Sequence, residues 1–179
     1  MTSPRSIDSG ASSVPGGIDL DGDFLAPGLI EMHTDNLEKH LLPRPGVVWP
    51  NAMAAALAHD AQMAAAGVTT VYDALCAGYE RGTKISRAES FLHLFEAIEA
   101  GQASRLFRID HAIHLRCELS GADLVPTVAR HVANPIVRLA SLMDHTPGQR
   151  QWRDFASFKT YSMGSTGMSE YEFDAHVGE

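Results

Sequence analysis

Four short runs rich in β-branched and apolar residues, each followed by a segment of helical character, most narrow what this chain can fold into. The runs are LIEMH (29–33), VTTVYDAL (68–75), IDHAIHLRCEL (109–119) and IVRLASLMD (136–144). Branched side chains fit a pleated, half-buried surface, so each run is expected to be a strand. Between them lie an alanine-rich stretch at 51–66, in which Met53, Leu57 and Met63 fall near helical spacing, then residues 86–100 and residues 123–133. The helix boundaries are marked in the sequence. Asn51 is placed to cap and Gly67 to stop the first helix. Ser86 with Glu89 makes a capping box for the second, which Gly101 ends, and Pro126 is tolerable near the first turn of the third. Ser169 with Glu172 starts a further helix over 169–177. Strand and helix alternating in this way predict an α/β fold of parallel βαβ units.

The flanks add less. Residues 1–17 are rich in Ser, Pro and Gly without periodicity and are expected to form a mobile tail, so the folded domain should span 18–179. Asp21-Gly22 between apolar residues suggests a short hairpin or strand entry. Residues 34–50 form a long loop after the first strand, a common place for function, and GSTG at 164–167 reads as a flexible turn. The two cysteines, Cys76 and Cys117, lie in apolar, strand-like surroundings far apart in sequence, which points to buried packing rather than a disulfide framework. The net charge is −8, with no basic cluster of the kind a nucleic-acid binder carries. No apolar run approaches membrane-span length and the first residues lack a signal-peptide core, so a cytoplasmic protein without a membrane partner is expected. Serine-elbow, P-loop and dinucleotide fingerprints are missing from the sequence.

Three segments have the residue types for chemistry. In PGLIEMHTDNLEKH (27–40), Glu31 and His33 share a strand face and Asp35 follows just past the strand end. In a β/α barrel that end is the mouth where active sites sit. An imidazole and a carboxylate there suit a divalent ion such as Zn, Mn or Fe; equally, Asp35 could be a helix cap and His33 a hydrogen-bonded histidine. In DHAIHLRCE (110–118), His114, Arg116 and Glu118 alternate on one face. Buried there, they would be costly unless they served each other or a ligand; on an edge strand they would be a surface stripe. In SLMDHTPGQRQ (141–151), Asp144-His145 end a strand and turn through Pro147-Gly148, with Arg150 and Arg153 beyond, placed for phosphate oxygens or simply exposed. Lys39, His40 and Arg44 lie in the first long loop. His59, His93, His131 and His176 fall on expected helices and are assigned to surface or helix packing.

FLAPGLIEMH resembles the entry to the barrel in the amidohydrolase superfamily, where the pattern is Pro-Gly, two apolar residues, an acid, and two histidines one residue apart. Asp35 stands where the second histidine would be. With HTDNLEKH, LAHDAQMAAAGVTTVYDAL, DHAIHLRCE and VRLASLMDHTPGQRQWRD, this resembles the subgroup of triphosphate diphosphatases of bacterial phosphonate (C–P lyase) metabolism, over residues 18–177. The resemblance implies a distorted (β/α)8 barrel of the TIM type and hydrolysis of a ribose 5-triphosphate to the 5-phosphate and pyrophosphate. It implies divalent metal ions as cofactors, held by His33 and Asp35 on the first strand, by Glu118 as the bridging carboxylate and by His145 as a later histidine. Lys39, Arg116 and Arg150 are then the candidates for contact with a phosphorylated sugar, and no catalytic residue is assigned in this part. A complete barrel needs about 250 residues and eight strands. With four strands here, and without the family's later histidine and final aspartate, the chain is expected to be the N-terminal half of such a barrel, incomplete and inactive as it stands, and able to form a homo-oligomer.

Two other readings stay open from sequence. One is a hydrolase of the same superfamily acting on a C–N bond, a cyclic amide or a deaminable base, with the same metals. The other is a fragment or subunit with no activity of its own.

Overall fold

The structure, a computed structural model, describes residues 17–44, 47–78, 87–148 and 150–177. Within them, β1 (Leu29–Thr34), β2 (Val68–Ala77), β3 (Asp110–Glu118) and β4 (Val137–Met143) form one parallel sheet in the order β1-β2-β3-β4. The crossovers carry α1 (Asn36–Leu41) and α2 (Ala52–Ala65), then α3 (Arg87–Ala103), then α4 (Leu124–His131); α5 (Phe155–Thr166) and α6 (Glu170–Val177) follow β4. Strand order equal to chain order puts every crossover on the same side. The sheet curls as in half of a barrel, so the alternation read from the sequence becomes a partial TIM-like wall.

The sheet's two faces have separate jobs. Leu75 and Ala77 of β2, with Ile113, Leu115 and Cys117 of β3, face the helices and meet Leu37, Leu41, Ala55, Ala56, Phe91, Leu94, Phe95, Ile98 and Leu124. Leu94, Ile98, Ile113 and Leu115 are fully buried, each contributing about 2 kcal/mol of hydrophobic stabilisation relative to exposure. The alternate residues Ala74, Cys76, His114, Arg116 and Glu118 line the concave side. Both cysteines are buried, as expected, and burial pushes the Cys117 thiol's pKa up.

Most helix signals hold at atomic level. The Asn51 side chain accepts the Ala54 N–H at 3.0 Å, and Gly67 follows α2 with a φ of +81°, where a side chain would be strained. The Ser169 hydroxyl accepts from the Glu172 N–H while the Glu172 carboxylate accepts from the Ser169 N–H, a closed capping box. Ser86 of the other box lies outside the described residues, as does residues 1–16 of the expected tail.

Four expectations change. The 34–50 loop contains α1, whose Leu37 and Leu41, four apart, drive it into the core. GSTG is not a turn: Gly164 to Thr166 complete α5, and only Gly167 leaves the helix, at φ +72°. Asp21-Gly22 turns with positive φ at both residues, but no strand flanks it among the described residues. The most buried face of α2 carries Ala55, Ala56, His59 and Asp60 rather than Met53, Leu57 and Met63. Small alanines let the helix approach the sheet, and the two polar residues find partners there, which hydrophobic spacing does not reveal.

Candidate active site

The strand C-termini converge on the concave side, where a cavity of about 450 Å³ is lined by His33, His114, Arg116, Asp144, His145 and Arg150, with Ser141, Leu142 and Met143 completing the wall. Three segments far apart in sequence meet here because parallel strands deliver all their C-terminal ends to one edge.

The first group gathers around β1. His33 Nδ1 lies 3.2 Å from His114 Nδ1, and His114 Nε2 lies 2.8 Å from the Ser141 hydroxyl. Burial, then the neighbouring His33 and the Arg116 guanidinium, lower the His114 pKa below the usual 6.5, against an opposite effect of Asp35. Asp35 occupies the N-cap position of α1 but makes no side-chain capping bond. Its Oδ1 instead accepts from Arg116 Nη1 at 2.5 Å and lies 3.7 Å from His33 Nε2. Glu31 accepts the His33 N–H at 2.9 Å, fixing the strand end.

The second group is Glu118 with His145. Glu118 is 1% exposed and accepts three hydrogen bonds, from the His145 backbone N–H at 3.0 Å, the His145 ring and the Ser120 hydroxyl at 3.1 Å. Burial raises its pKa, but these bonds and the His145 charge outweigh it and hold the carboxyl below its usual range. Gly78, at φ +110°, lies against this residue: a Cβ there would come within 2.7 Å of the Glu118 carbonyl oxygen. Beside the group, Asp144 accepts the Thr146 N–H at 3.1 Å and Arg150 Nε at 3.0 Å, so the turn-stabilising role and the arginine contact coexist. The Thr146 bonds and Arg150 lower the Asp144 pKa.

Of the seven residues that the resemblance assigns to metal or substrate, His33, Arg116, His145 and Arg150 line the cavity directly. Asp35 and Glu118 join it through Arg116 and His145. Lys39 is exposed on α1, away from the lining. His33 and Asp35 form one imidazole–carboxylate pair and Glu118 and His145 another. Both have the nitrogen and oxygen donors that suit divalent metals. The charge balance fits such ions as well: Asp35, Glu118 and Asp144 outnumber Arg116 and Arg150, so a polyanion would need added positive charge here.

His93 is exposed and His131 packs on Phe91 and Phe95, as assigned from sequence. Sequence reasoning gave no role to His114 as a neighbour of His33, nor to a buried group of His59, Asp73 and His111. Period-two alternation puts His111 and His114, three apart, on opposite faces, but gives no sign of what each meets.

No family model matches the chain, and no solved structure matches it. The chain is similar to the alpha-D-ribose 1-methylphosphonate 5-triphosphate diphosphatase of Escherichia coli (strain K12), at 39% identity over 175 residues, which is 98% of this chain and 46% of that protein. The chain therefore spans about half the length of the curated relative it matches. Among the described residues, no helix is long and apolar enough to cross a membrane.

Proposed function

We propose that the protein of which this chain forms part is a metal-dependent, amidohydrolase-type hydrolase that cleaves alpha-D-ribose 1-methylphosphonate 5-triphosphate to the 5-phosphate and pyrophosphate. This chain would supply one wall of its active site. The observation that carries the reading is the convergence of His33, Arg116, His145 and Arg150 on one cavity at the strand C-termini, in segments contained in the stretch similar to the diphosphatase.

In this reading His33 with Asp35, and Glu118 with His145, are the residues that would hold divalent metal. When bound, such an ion supplies a Lewis acid for phosphate oxygens and lowers the pKa of water. The chain's own residues orient the substrate. Arg116 offers a guanidinium fork to a phosphate oxygen pair, and Asp35 holds that fork in place until the substrate arrives. Arg150, more exposed and tied to Asp144, would meet the outer phosphates. His145, supported by Glu118, is fixed in orientation by two bonds to one carboxylate, so its other ring nitrogen is the one left to face the cavity. The two arginines favour a phosphorylated substrate over the cyclic amide of a C–N hydrolase.

The test is turnover by the full-length protein with bound divalent metal, followed by phosphorus NMR on a panel of sugar and nucleoside triphosphates, with cyclic amides as controls. Pyrophosphate release from ribose 5-triphosphates, with the cyclic amides left intact, is expected. Hydrolysis of a cyclic amide with no pyrophosphate released would overturn the reading.

A further inference from the structure

On the helix-covered side of the sheet, opposite the mouth, His59, Asp73 and His111 form a second group of potential ligands. All three side chains are fully buried. Asp73 Oδ1 lies 2.8 Å from His59 Nε2, and its Oδ2 lies 2.7 Å from His111 Nδ1. One ligand atom from each falls within 4.8 Å of the other two. The residues come from α2, β2 and β3, so the group joins a helix to the two central strands.

The charge around this group is unbalanced. Asp60, the neighbour of His59 on α2, accepts the Arg108 N–H at 2.8 Å, the Ile109 N–H at 3.2 Å and the Arg108 guanidinium at 2.8 Å. Arg108 thereby pairs with Asp60, and among the described residues the Asp73 carboxylate meets only the two imidazoles. A fully buried carboxylate is costly unless its partners bring positive charge to it. Two further ring nitrogens, His59 Nδ1 and His111 Nε2, are buried without a hydrogen bond. His111 Nε2 faces Asp60 Oδ1 at 3.5 Å. A carboxylate behind a histidine is the usual support for a metal-bound ring, fixing its tautomer and raising its basicity.

We propose that His59, Asp73 and His111 bind one divalent transition-metal ion of the zinc class, as a structural link between α2, β2 and β3, separate from any metal at the mouth. Two imidazoles and a carboxylate are a common zinc donor set, and manganese or ferrous iron accept the same atoms. The ion would bring positive charge to the buried Asp73 carboxylate. It acts on Nε2 of His59 and Nδ1 of His111, leaving the His111 Nε2–H for Asp60, which Arg108 holds in place. Three protein ligands leave a fourth position that a water molecule would fill, and complete burial keeps a substrate from reaching it.

The experiment is done on the full-length protein carrying His33→Ala and His145→Ala, which removes the two mouth histidines proposed as metal ligands and leaves His59, Asp73 and His111 in place. After dialysis, elemental analysis should find about one metal ion per chain. Cadmium-113 loaded into nitrogen-15-labelled protein should show coupling to two histidine rings, one through Nε2 and one through Nδ1. Adding Asp73→Asn should abolish that ion and lower the melting temperature. A folded His33→Ala/His145→Ala protein with no metal, or with cadmium coupled to no histidine ring, would overturn the proposal; the carboxylate would then be balanced by a proton on one ring. Should Asp73→Asn fail to fold, the cadmium couplings alone decide. The diphosphatase reading stands or falls separately, on turnover in the unsubstituted protein.

Discussion

His33 and His114 bring their Nδ1 atoms to 3.2 Å although β1 and β3 are not neighbours in the sheet. The strand between them makes this possible. Ala74, the β2 residue in register with His114, carries only a methyl group on the concave face, so two rings from either side can meet above it. A short contact between two imidazole nitrogens admits one proton, because two donors would repel. His114, already disfavoured as a cation by burial, is the ring that stays neutral.

The first prediction follows from that pairing. In the unfolded chain His114 titrates near 6.5; in the fold its pKa is lower. The unfolded state therefore takes up its proton first as pH falls. The stability due to His114 is complete above about pH 6.5 and is lost as pH falls through the folded pKa. In metal-free protein, imidazole nitrogen chemical shifts should show His114 titrating below free histidine. His33→Ala should raise that midpoint, since a neighbouring positive charge is gone. A midpoint unchanged by the substitution would show that His33 does not act on it.

Glu118 gives the second. Replacing it with Gln keeps the shape but removes the charge that holds the His145 ring and puts a donor where three donors already point. The expected loss at neutral pH is roughly 1–3 kcal/mol, by urea unfolding. The Glu118 pKa is depressed in the fold, so this contribution is present above about pH 4.5 and disappears as pH falls through the folded value. Wild type and Glu118→Gln should thus converge in stability in acid. Parallel curves down to the lowest measurable pH would contradict the assignment.

The third concerns Arg116. Lysine keeps the charge but cannot hold Asp35 and present a two-pronged face to phosphate. In the full-length protein, Arg116→Lys should lower kcat/KM for a ribose 5-triphosphate by on the order of 10-fold to 100-fold, while Arg153→Lys, outside the cavity lining, should change it little. Equal kcat/KM for Arg116→Lys and wild type would remove Arg116 from the substrate contacts.

The fourth is purely structural. Asn51→Ala should destabilise by about 1 kcal/mol through loss of the bond to the Ala54 N–H, and Asn51→Asp should restore most of it. Chemical denaturation of the three proteins checks this. No difference between Ala and Asn would mean that the α2 cap contributes nothing measurable.

The fifth uses the sheet's edges. Leu29 and Ile30 on β1 are each 61% exposed, and Leu142 on β4 is 75% exposed. Among the described residues, no strand pairs with the outer edge of either, and an open edge beside apolar side chains favours pairing with another chain. A polypeptide of residues 1–179 should self-associate at micromolar concentration, and Leu142→Asp should shift it toward monomer in sedimentation velocity. A monomeric wild-type polypeptide would count against this.

The order of strands and helices was legible because periodicity and caps are local. Val68 to Leu75 could hardly be anything but strand, and Asn51, Gly67 and Ser169 act within a few residues of themselves. The alternation on β3 likewise put His114, Arg116 and Glu118 on one face before any contact was known. Where the sequence misled, a local signal met a non-local partner. The 34–50 segment looks like loop until Leu37 and Leu41 find the core, and His59 looks like a helix-packing residue until Asp73 arrives from β2.

The sequence by itself determined the four strands, the helices α2, α3, α4 and α6 and the placing of His33, Asp35 and His145 at strand ends, since each depends on residues within one or two turns of one another. Only the tertiary structure decided the pairings: Asp35 with Arg116 rather than with its own helix, Glu118 with His145, His33 with His114, and Asp73 between two buried histidines. The physical reason is that a polar side chain satisfies itself with whatever donor or charge the fold brings within about 3 Å, and that partner is fixed by sheet register and strand curvature across tens of residues, which no local pattern encodes.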